Sequence, residues 1–290
     1  MLIRHVEYFV TLAEEGHFGR AAALCGITQP ALSATLRKLE DELAVPLILR
    51  GQRYQGLTAE GEKLLAWGRQ ILSNYDSLRE DLDGRRRGGL NVTLRLGAVA
   101  AAMPLLVGFS ELFERRNPMS RIAVRLLDDA QIAAGLADFS IDGAFGQMPE
   151  DDNAPDHLAR YPMWSSRPLF ACRDDHPFAS EETIGLEDAA TQPLCTLTGY
   201  QMPPQIRRVN IVLDTLGAVI PHLTSGGWCA ILPDTVRPAL PTGSGLCLIP
   251  FADAPPARQI GAICLGQRPQ SPAAQAFEQS VQAYLAARAR

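Results

Sequence analysis

Polar side chains of three kinds lie close together in the stretch AAALCGITQPALSATLRKLEDEL, residues 21–43. Gln29 carries an amide that can pair bidentately with adenine, and Ser33 carries a hydroxyl that can bind a base or a phosphate. Arg37 and Lys38 are cations that can neutralise phosphates. These residue types suit contact with a nucleic acid, provided that they share one face of a helix.

The apolar residues of the same stretch predict that helix. Four leucines at spacings of 4, 3 and 4 form one buried stripe: Leu32, Leu36, Leu39 and Leu43. Thr28 suits the N-cap and Pro30 suits the first turn, so the proline begins the helix and does not break it. The opposite, polar face consists of Gln29, Pro30, Ser33, Ala34, Arg37 and Lys38.

Two shorter amphipathic helices are predicted before this one. Apolar residues recur at helical spacing in residues 6–13 and again in residues 18–25, and Gly26 occupies a C-cap position. Two helices joined by a tight turn, the second with small, amide and cationic side chains near its start, are typical of a helix-turn-helix. The same pattern also fits an αα-hairpin in an ordinary core with a solvated polar face.

A β-hairpin is predicted directly after the polar helix. Pro46 and LIL predict a short strand, RGQRYQG a turn, and LT a returning strand. The hairpin carries Arg50 and Arg53, which are suited to the phosphates beside a groove. A wing in this position favours a DNA-binding helix-turn-helix over the alternative of an αα-hairpin in an ordinary core.

Over about sixty residues, the N-terminal part resembles the winged helix-turn-helix of the LysR-type transcriptional regulators. The matching features are F-x-x-LAEEG-x-F-x-RAA, QPALS, LE-x-EL with VPL, and LT-x-xG. The resemblance implies double-stranded operator DNA as a partner, and its last motif adds Thr58 to the DNA-binding residues. Ala34 and Thr35 stand where the family often has Arg and Gln, and ILR replaces Phe-Glu-Arg, which leaves the preferred operator sequence open. HFGRAAA, RGQRYQGLTAEG and LTGYQM also resemble a subgroup found beside formate dehydrogenase genes.

Residues 58–83 predict one long helix with a single apolar seam. The seam has the 4, 3, 4, 3, 4 spacing of a coiled coil, interrupted by a glycine: Leu64, Gly68, Ile71, Tyr75, Leu78 and Leu82. Such a stripe needs a partner surface, either on a second copy or on the second domain of the same chain. The family resemblance favours a homodimer, associating into a homotetramer, and RNA polymerase as a further partner. DGRRRGGLN (83–91) is interpreted as a hinge.

Strand and helix patterns alternate from residue 90 onwards, which predicts parallel sheets with helical crossovers. The cycle restarts at SSRPLFACRDDHPF, so two lobes with a cleft between them are expected. The predicted fold class is α/β overall, with a mostly α-helical winged helix-turn-helix over 1–58, a linker helix and hinge over 59–89, and an effector-binding domain over 90–290.

This C-terminal part resembles the effector-binding half of the same family, which is similar to periplasmic solute-binding proteins. The matched pieces include LRLGAV…PLL, DDHPFA and SGGWCAILPD. The resemblance implies crossings between the lobes near Pro162 and Leu265. Lobe I would then comprise 90–162 and 266–290, and lobe II 163–265.

Two loops after predicted strands, AVAAAMP and LTGYQMPP, are the expected ligand site, because open sheets bind ligands beyond the carboxyl ends of their strands. The predicted effector-binding residues are Val99, Ala100, Ala101, Ala102, Thr198, Gln201 and Met202. The family commonly places Ser or Thr where this chain has alanines. A small organic anion would therefore need backbone N–H groups, or Thr198, Gln201 and Arg207 or Arg208. The alternative is that the alanines only pack.

Composition excludes several classes of protein. The chain has 290 residues, 47% of them hydrophobic and 20% charged, with a net charge of −5 that falls entirely after residue 88. No GxSxG, P-loop, HExxH or GxGxxG pattern predicts an enzyme, and no ligand spacing predicts a metal or cofactor. The six cysteines are interpreted as free thiols in a reducing cytoplasm. No secretory signal or membrane span is predicted.

The predicted function is a bacterial regulator that binds DNA in a sequence-specific manner and is modulated by a small molecule in the C-terminal cleft. Two alternatives remain at this stage. One is a ligand-independent DNA-binding regulator. The other is a solute-binding module whose N-terminal domain serves only for assembly.

Overall fold

The computed structural model describes residues 3–49, 54–87, 90–148, 157–240, 243–266 and 270–288. The chain divides into two compact units, Met1–Gly88 and Gly89–Arg290. Among the described helices, none has both the length and the hydropathy that crossing a membrane requires.

The described part of the N-terminal unit forms the helices α1 (Ile3–Glu15), α2 (Phe18–Leu24), α3 (Gln29–Leu43) and α4 (Ala59–Arg87). Gly26 adopts a left-handed φ of +67° in the turn between α2 and α3, a conformation that side chains with a Cβ rarely adopt. The Oγ1 atom of Thr28 accepts the N–H of Ala31 at 3.4 Å and caps α3. The predicted helix, tight turn and second helix are therefore confirmed.

The core of this unit joins α1, α2 and α3 through one apolar cluster. From α3 it contains Leu32, Leu36 and Leu39, each at most 2% exposed. Leu43 is 38% exposed, so its prediction as part of the buried stripe is wrong. The reason is local: Leu43 is the last residue of α3, and Ala44 follows in a left-handed conformation that turns the chain away.

The predicted hairpin is present at its base. Ile48 forms an antiparallel bridge with Leu57, and the N–H of Leu49 donates to the carbonyl of Gly56 at 3.0 Å. Arg50 and Arg53, predicted to contact phosphates, lie outside the described residues.

The described part of the C-terminal unit alternates strands and helices. In chain order its elements are β1 (Thr93–Ala98), α5 (Leu106–Arg116), β2 (Arg121–Leu126), α6 (Asp129–Ala137), β3 (Gly143–Gln147), β4 (Leu158–Ser166), β5 (Pro168–Arg173), α7 (Leu186–Ala190), β6 (Leu194–Leu197), β7 (Ile211–Leu213), α8 (Leu216–Ser225), β8 (Cys229–Pro233), β9 (Leu246–Pro250), β10 (Arg258–Leu265) and α9 (Pro272–Arg288). Short 3₁₀ helices lie at Met103–Leu105 and Asp234–Ala239. The α/β class is thus confirmed.

These strands form two sheets with the same plan. The first has the order β2-β1-β3-β10-β4 and the second the order β7-β6-β8-β5-β9. In the first sheet β1 is parallel to β2 and β3, while β10 is antiparallel to β3 and β4. The expectation of parallel sheets is therefore wrong, because one strand in each sheet, β10 in the first and β5 in the second, runs against the other four.

The lobe boundaries predicted at residues 162 and 265 need correction. The first crossing is at Arg167, between β4 and β5, and the second spans residues 251–257, between β9 and β10. Pro162 lies inside β4 because the register shifts beside Gly261, and this bulge accommodates a residue without an N–H. Strand β10 belongs to the first sheet, so residues 258–265 belong to lobe I.

Lobe I is held together by an aromatic cluster. The ring centroid of Phe109 lies 5.0 Å from that of Phe145 and 5.6 Å from that of Phe277, in edge-to-face arrangements. All three residues are fully buried. The cluster clamps α5 and α9 onto the sheet whose strand ends reach the other lobe.

Candidate DNA-binding face and ligand cleft

The polar face predicted on α3 is open to solvent. Gln29, Arg37 and Lys38 are exposed, and Ser33 is half-buried. Among the described residues, the side chains of Gln29, Ser33 and Arg37 make no hydrogen bond or ion pair. These groups are therefore free to bind an external partner. Pro30 and Ala34 are also exposed and add little bulk to this face.

Thr58, predicted to bind DNA, has another role. Its Oγ1 atom donates to the carbonyl of Pro46 at 2.7 Å and accepts the N–H of Gly61 at 3.0 Å. The hydroxyl therefore caps α4 and ties this helix to the first strand of the wing. These hydrogen bonds give Thr58 a positioning role within the unit, and its contact with DNA stays a prediction.

Glu40, which sequence reasoning missed, fixes the same strand from the other side. Its Oε1 atom accepts the N–H groups of Leu47 at 2.7 Å and Ile48 at 3.1 Å. Gly61 approaches this segment so closely that a Cβ there would lie 2.1 Å from the carbonyl oxygen of Leu47. Residues 46–48 are thus clamped between α3 and α4. The sequence feature that could have indicated this role is a carboxylate directly after Leu39 of the buried leucine stripe.

The seam predicted on α4 divides into two halves. Gly68 is buried against Val6 and Val10 of α1, and Leu64, predicted to take part in dimerisation, packs on the same core and is half-buried. Ile71 is half-buried. The second half is exposed, by 38% at Tyr75, 55% at Leu78 and 51% at Leu82. Trp67, which was not predicted as part of the seam, also lies on this helix and is 64% exposed.

A cavity of about 20 Å³ lies between the lobes, enough for about one water molecule. Its polar lining residues are Gln147, Ser166, Tyr200, Gln201 and Arg258. Arg258 stands opposite Ser166 across β10 and β4, so both side chains lie on one face of the sheet. The guanidinium of Arg258 also donates to the carbonyl of Gln201 from the other lobe, at 3.4 Å.

The predicted loop after β1 contributes mainly packing. Ala101 lines the cavity, and its carbonyl accepts a hydrogen bond from Thr235 of lobe II at 2.7 Å. Val99 and Ala102 are buried in the core of lobe I, and Ala100 packs against an apolar cluster of lobe II. Of these four residues, only Ala101 lines the cavity.

Of the residues predicted in the loop after β6, only Gln201 lines the cavity, together with Tyr200 and Pro203 of the same loop. The hydroxyl of Thr198 donates to Asp214 at 2.7 Å within lobe II, and Met202 packs into the core of that lobe. Arg207 and Arg208 are exposed and do not line the cavity. The expected cation of the site is therefore replaced by Arg258, which a charged residue at the start of an apolar strand could have indicated.

Two ionisable groups near Arg258 are perturbed by burial. Desolvation raises the pKa of the Asp129 carboxyl, although its Oδ1 atom accepts the N–H of Gln147 at 3.1 Å and Arg258 attracts it. Desolvation also raises the pKa of the Tyr200 hydroxyl well above its usual value. Tyr200 therefore stays a neutral donor, and Arg258 is the cation of the cavity lining.

Metal chemistry finds no support in the described ranges. No group of three His, Cys, Asp or Glu residues among them is placed to hold a metal ion.

Comparisons with known proteins agree with both parts of the chain. Residues 3–62 match the model of bacterial regulatory helix-turn-helix proteins of the lysR family, and residues 87–286 match that of the LysR substrate binding domain. A hydrogen peroxide-inducible genes activator of Dickeya chrysanthemi is 28% identical, with 96% of this chain and 93% of the relative covered. The transcriptional regulator AlsR of Bacillus subtilis is 31% identical, with 70% and 66% covered.

Solved structures show the same fold over almost the whole length. A full-length OxyR variant from Pseudomonas aeruginosa superposes with a TM-score of 0.72 at 24% identity, covering 97% of this chain and 95% of that one. CbnR in complex with its target DNA superposes with a TM-score of 0.68 at 19% identity, covering 98% and 100%.

Proposed function

The chain belongs to the LysR family of DNA-binding transcriptional regulators with an effector-binding domain, and we propose that α3 reads operator DNA while the interlobe cleft binds a small organic anion. The observation that carries the DNA-binding part is the exposed polar face of α3, whose amide and hydroxyl groups have no partner among the described residues. The family excludes the alternative of a solute-binding module with a mere assembly domain.

In the proposed complex α3 lies in the major groove. Gln29 pairs with an adenine edge and Ser33 contacts a base or phosphate, because both stand near the start of the helix, where base contacts concentrate. Arg37 and Lys38 bind phosphates, as do Arg50 and Arg53 of the wing. Glu40 and Thr58 hold the wing against α3 and α4.

A homodimer is the proposed binding unit. The exposed apolar residues of α4 are best buried by the same helix of a second copy, since a single apolar stripe needs a partner. Two α3 helices would then contact successive turns of a pseudo-palindromic operator. Association of dimers into a homotetramer, contact with RNA polymerase and a cytoplasmic location belong to the same proposal.

The cleft suits a small oxyanion. Arg258 offers a guanidinium, Ser166 and Tyr200 offer hydroxyls, and Gln147 offers an amide, so donors outnumber acceptors around one cation. Because the cavity holds only about one water, a larger ligand enters when the lobes separate about the two crossings. One relative is named as a hydrogen peroxide-inducible genes activator, but the residues that line this cleft support a carboxylate as the ligand.

Lobe closure on the anion is the proposed signal. It changes the geometry of the dimer, moves the paired α3 helices and alters the bending of the operator. The effect requires that the anion bind one lobe arrangement more tightly than the other.

The test uses the full-length protein and the duplex upstream of its own gene. Fluorescence anisotropy measures DNA affinity at several salt concentrations, and thermal shift screens carboxylates of one to four carbons. We expect salt-dependent specific binding and at least one carboxylate that changes both melting temperature and DNA affinity. Absence of specific duplex binding would reject the assignment of α3, and specific binding that no carboxylate alters would favour the ligand-independent regulator.

The dimer is tested separately by Leu78→Glu, which puts a charge on the exposed half of α4. We expect sedimentation to show a monomer and operator affinity to fall at least tenfold, whereas Glu60→Gln at the start of α4 leaves both unchanged. A Leu78→Glu protein that remains dimeric would place the interface elsewhere.

A further inference from the structure

Three cysteines stand side by side across three neighbouring strands of the second sheet. Strands β5 and β9 are antiparallel, with Cys172 directly opposite Cys247. Strand β5 also pairs with β8 as far as Ala171 opposite Ala230, and Cys172 and Cys229 are the next residues of the two strands beyond that pair. All three thiols face the same apolar cluster, since opposite residues share one face of a sheet. Cys172 therefore lies between two other thiols.

The two outer thiols have different surroundings. His176 accepts the N–H of Phe178 on Nδ1, so its neutral ring carries the proton on Nε2, which lies 3.5 Å from the sulfur of Cys229. Cys229 is 1% exposed and has this partner. Cys247 lies on β9, the edge strand of the sheet, and is half-buried. Solvent therefore reaches the row from the side of Cys247.

Burial also makes the thiols of Cys172 and Cys247 unequal in reactivity. Cys172 is fully buried, and burial raises the pKa of its thiol to about 12. Because the thiolate is the nucleophile, the buried Cys172 attacks a peroxide more slowly than a thiol that solvent reaches. The first oxidation therefore falls on Cys247, and Cys172 is the neighbour that responds.

We propose that Cys247 and Cys172 form a reversible redox pair that a hydroperoxide converts to a disulfide. The sulfur of Cys247 attacks the peroxide oxygen, the O–O bond breaks, and an alcohol or water leaves with the second oxygen, so that Cys247 becomes a sulfenic acid. The sulfur of Cys172 then attacks the sulfenic sulfur, gives up its proton, and water leaves. The two thiols lose two electrons, which the peroxide takes up.

The backbone already meets the requirement for this bond. Directly opposite residues of antiparallel strands have Cα atoms about 4.5–5.5 Å apart, and disulfides span about 4.4–6.8 Å between Cα atoms. Forming the bond therefore requires side-chain rotation and little movement of the strands. A disulfide at an accessible edge is also the kind that cellular thiols can reduce again.

The pair joins the two strands that connect lobe II to lobe I. Strand β5 follows β4 across Arg167, and β9 leads to β10 across residues 251–257. A covalent link between β5 and β9 restrains both crossings relative to each other. We therefore expect oxidation to change carboxylate affinity, a consequence that rests on the proposed function, whereas the disulfide itself does not.

The experiment treats the reduced full-length protein with a small excess of hydrogen peroxide, stops the reaction with acid, alkylates the free thiols and maps linked peptides by mass spectrometry. We expect two of the six thiols to be lost per chain, a Cys172–Cys247 linkage, and full recovery with dithiothreitol. Cys247→Ser should retain all of its remaining thiols, while Cys25→Ser, a change in the N-terminal unit, should still form the bond.

Melting temperature provides the second readout. Oxidation should raise the melting temperature of the wild type and not that of Cys247→Ser, since a crosslink restricts the unfolded chain. If Cys247→Ser is destabilised when reduced, Cys247→Ala replaces it. Six free thiols after oxidation, or linkages only between other cysteines, would overturn the redox pair. A disulfide that leaves carboxylate affinity unchanged would support the pair and overturn its coupling to the cleft.

Discussion

The DNA-binding face and the ligand cleft are assembled in different ways. The face takes all of its reading residues from α3, within residues 29–38. The cleft collects Gln147 from the end of β3, Ser166 from the end of β4 and Arg258 from the start of β10. A site on one helix depends on local periodicity, and a site between strands depends on which distant segments pair. The two sites should therefore respond differently to substitution.

The largest effect is expected for Glu40→Ala, which tests whether DNA binding depends on the reading residues of α3 alone or also on the position of the wing. The change leaves the N–H groups of Leu47 and Ile48 without their acceptor, at about 1–3 kcal/mol each. We expect a lower free energy of unfolding of the N-terminal unit and weaker operator binding, measured by denaturant titration and anisotropy.

Two comparisons sharpen the role of Glu40. Glu40→Gln retains an acceptor and should recover most of the binding. The loss caused by Glu40→Ala should also not add to that of Arg53→Ala, because a wing that is already displaced gains nothing from its arginine. Fully additive losses would mean that Glu40 does not position the wing.

The next effect concerns the cleft. Arg258→Ala removes its cation and should weaken binding of the responsive carboxylate by about 1.5–3 kcal/mol, roughly 10- to 150-fold, with DNA binding without ligand unchanged. Isothermal titration calorimetry measures the affinity. Arg208→Ala, an exposed arginine outside the cavity, is the matched control. Equal losses in both variants would show that only net charge matters.

On the DNA-binding face, Gln29→Ala should reduce specific affinity by about 1–2 kcal/mol and leave affinity for unrelated duplex unchanged, since an amide contact reads bases and not phosphates. Gln275→Ala on the exposed side of α9 is the matched control. Competition anisotropy with specific and random duplexes measures both affinities. An equal loss on random DNA would move Gln29 off the reading surface.

The smallest effect is expected for Asp129→Asn. Asn retains the acceptor for the N–H of Gln147 and removes a carboxylate close to the proposed anion, so carboxylate affinity should rise a few-fold at neutral pH. Because burial raises the pKa of Asp129 above its unfolded value, its contribution to stability is present at low pH and is lost as pH rises through the folded pKa. Asp129→Asn should flatten that dependence in thermal melts at several pH values.

Prediction from sequence worked where neighbours along the chain decide the outcome. The spacing of Leu32, Leu36 and Leu39 predicted the buried side of α3, and Thr28 predicted its start. It failed at Leu43, whose exposure depends on where the chain turns, and it did not reveal that Leu64 packs on the N-terminal core. For the same reason the sequence did not reveal the intrachain hydrogen bond of Thr58, whose hydroxyl donates to the carbonyl of a residue twelve positions away.

The cleft shows a stronger form of this limit. The alanines after β1 lie beside the other lobe, but their packing could not be inferred from the sequence because Ala100 and Ala102 face apolar clusters that belong to different lobes. The family resemblance placed a lobe boundary near Pro162, but the bulge beside Gly261 accommodates this proline inside β4.

The sequence alone therefore determined the α/β class, the helix-turn-helix and the polar face of α3, since each follows from periods of 3.6 or 2 residues and from capping within a few positions. Only the tertiary structure decided that β10 returns to the first sheet, that Arg258 stands beside Ser166, and that three cysteines form one row. The physical reason is that strand order and register arise from hydrogen bonds between segments far apart in the chain, and side-chain alternation within a strand is the same whichever strand lies beside it.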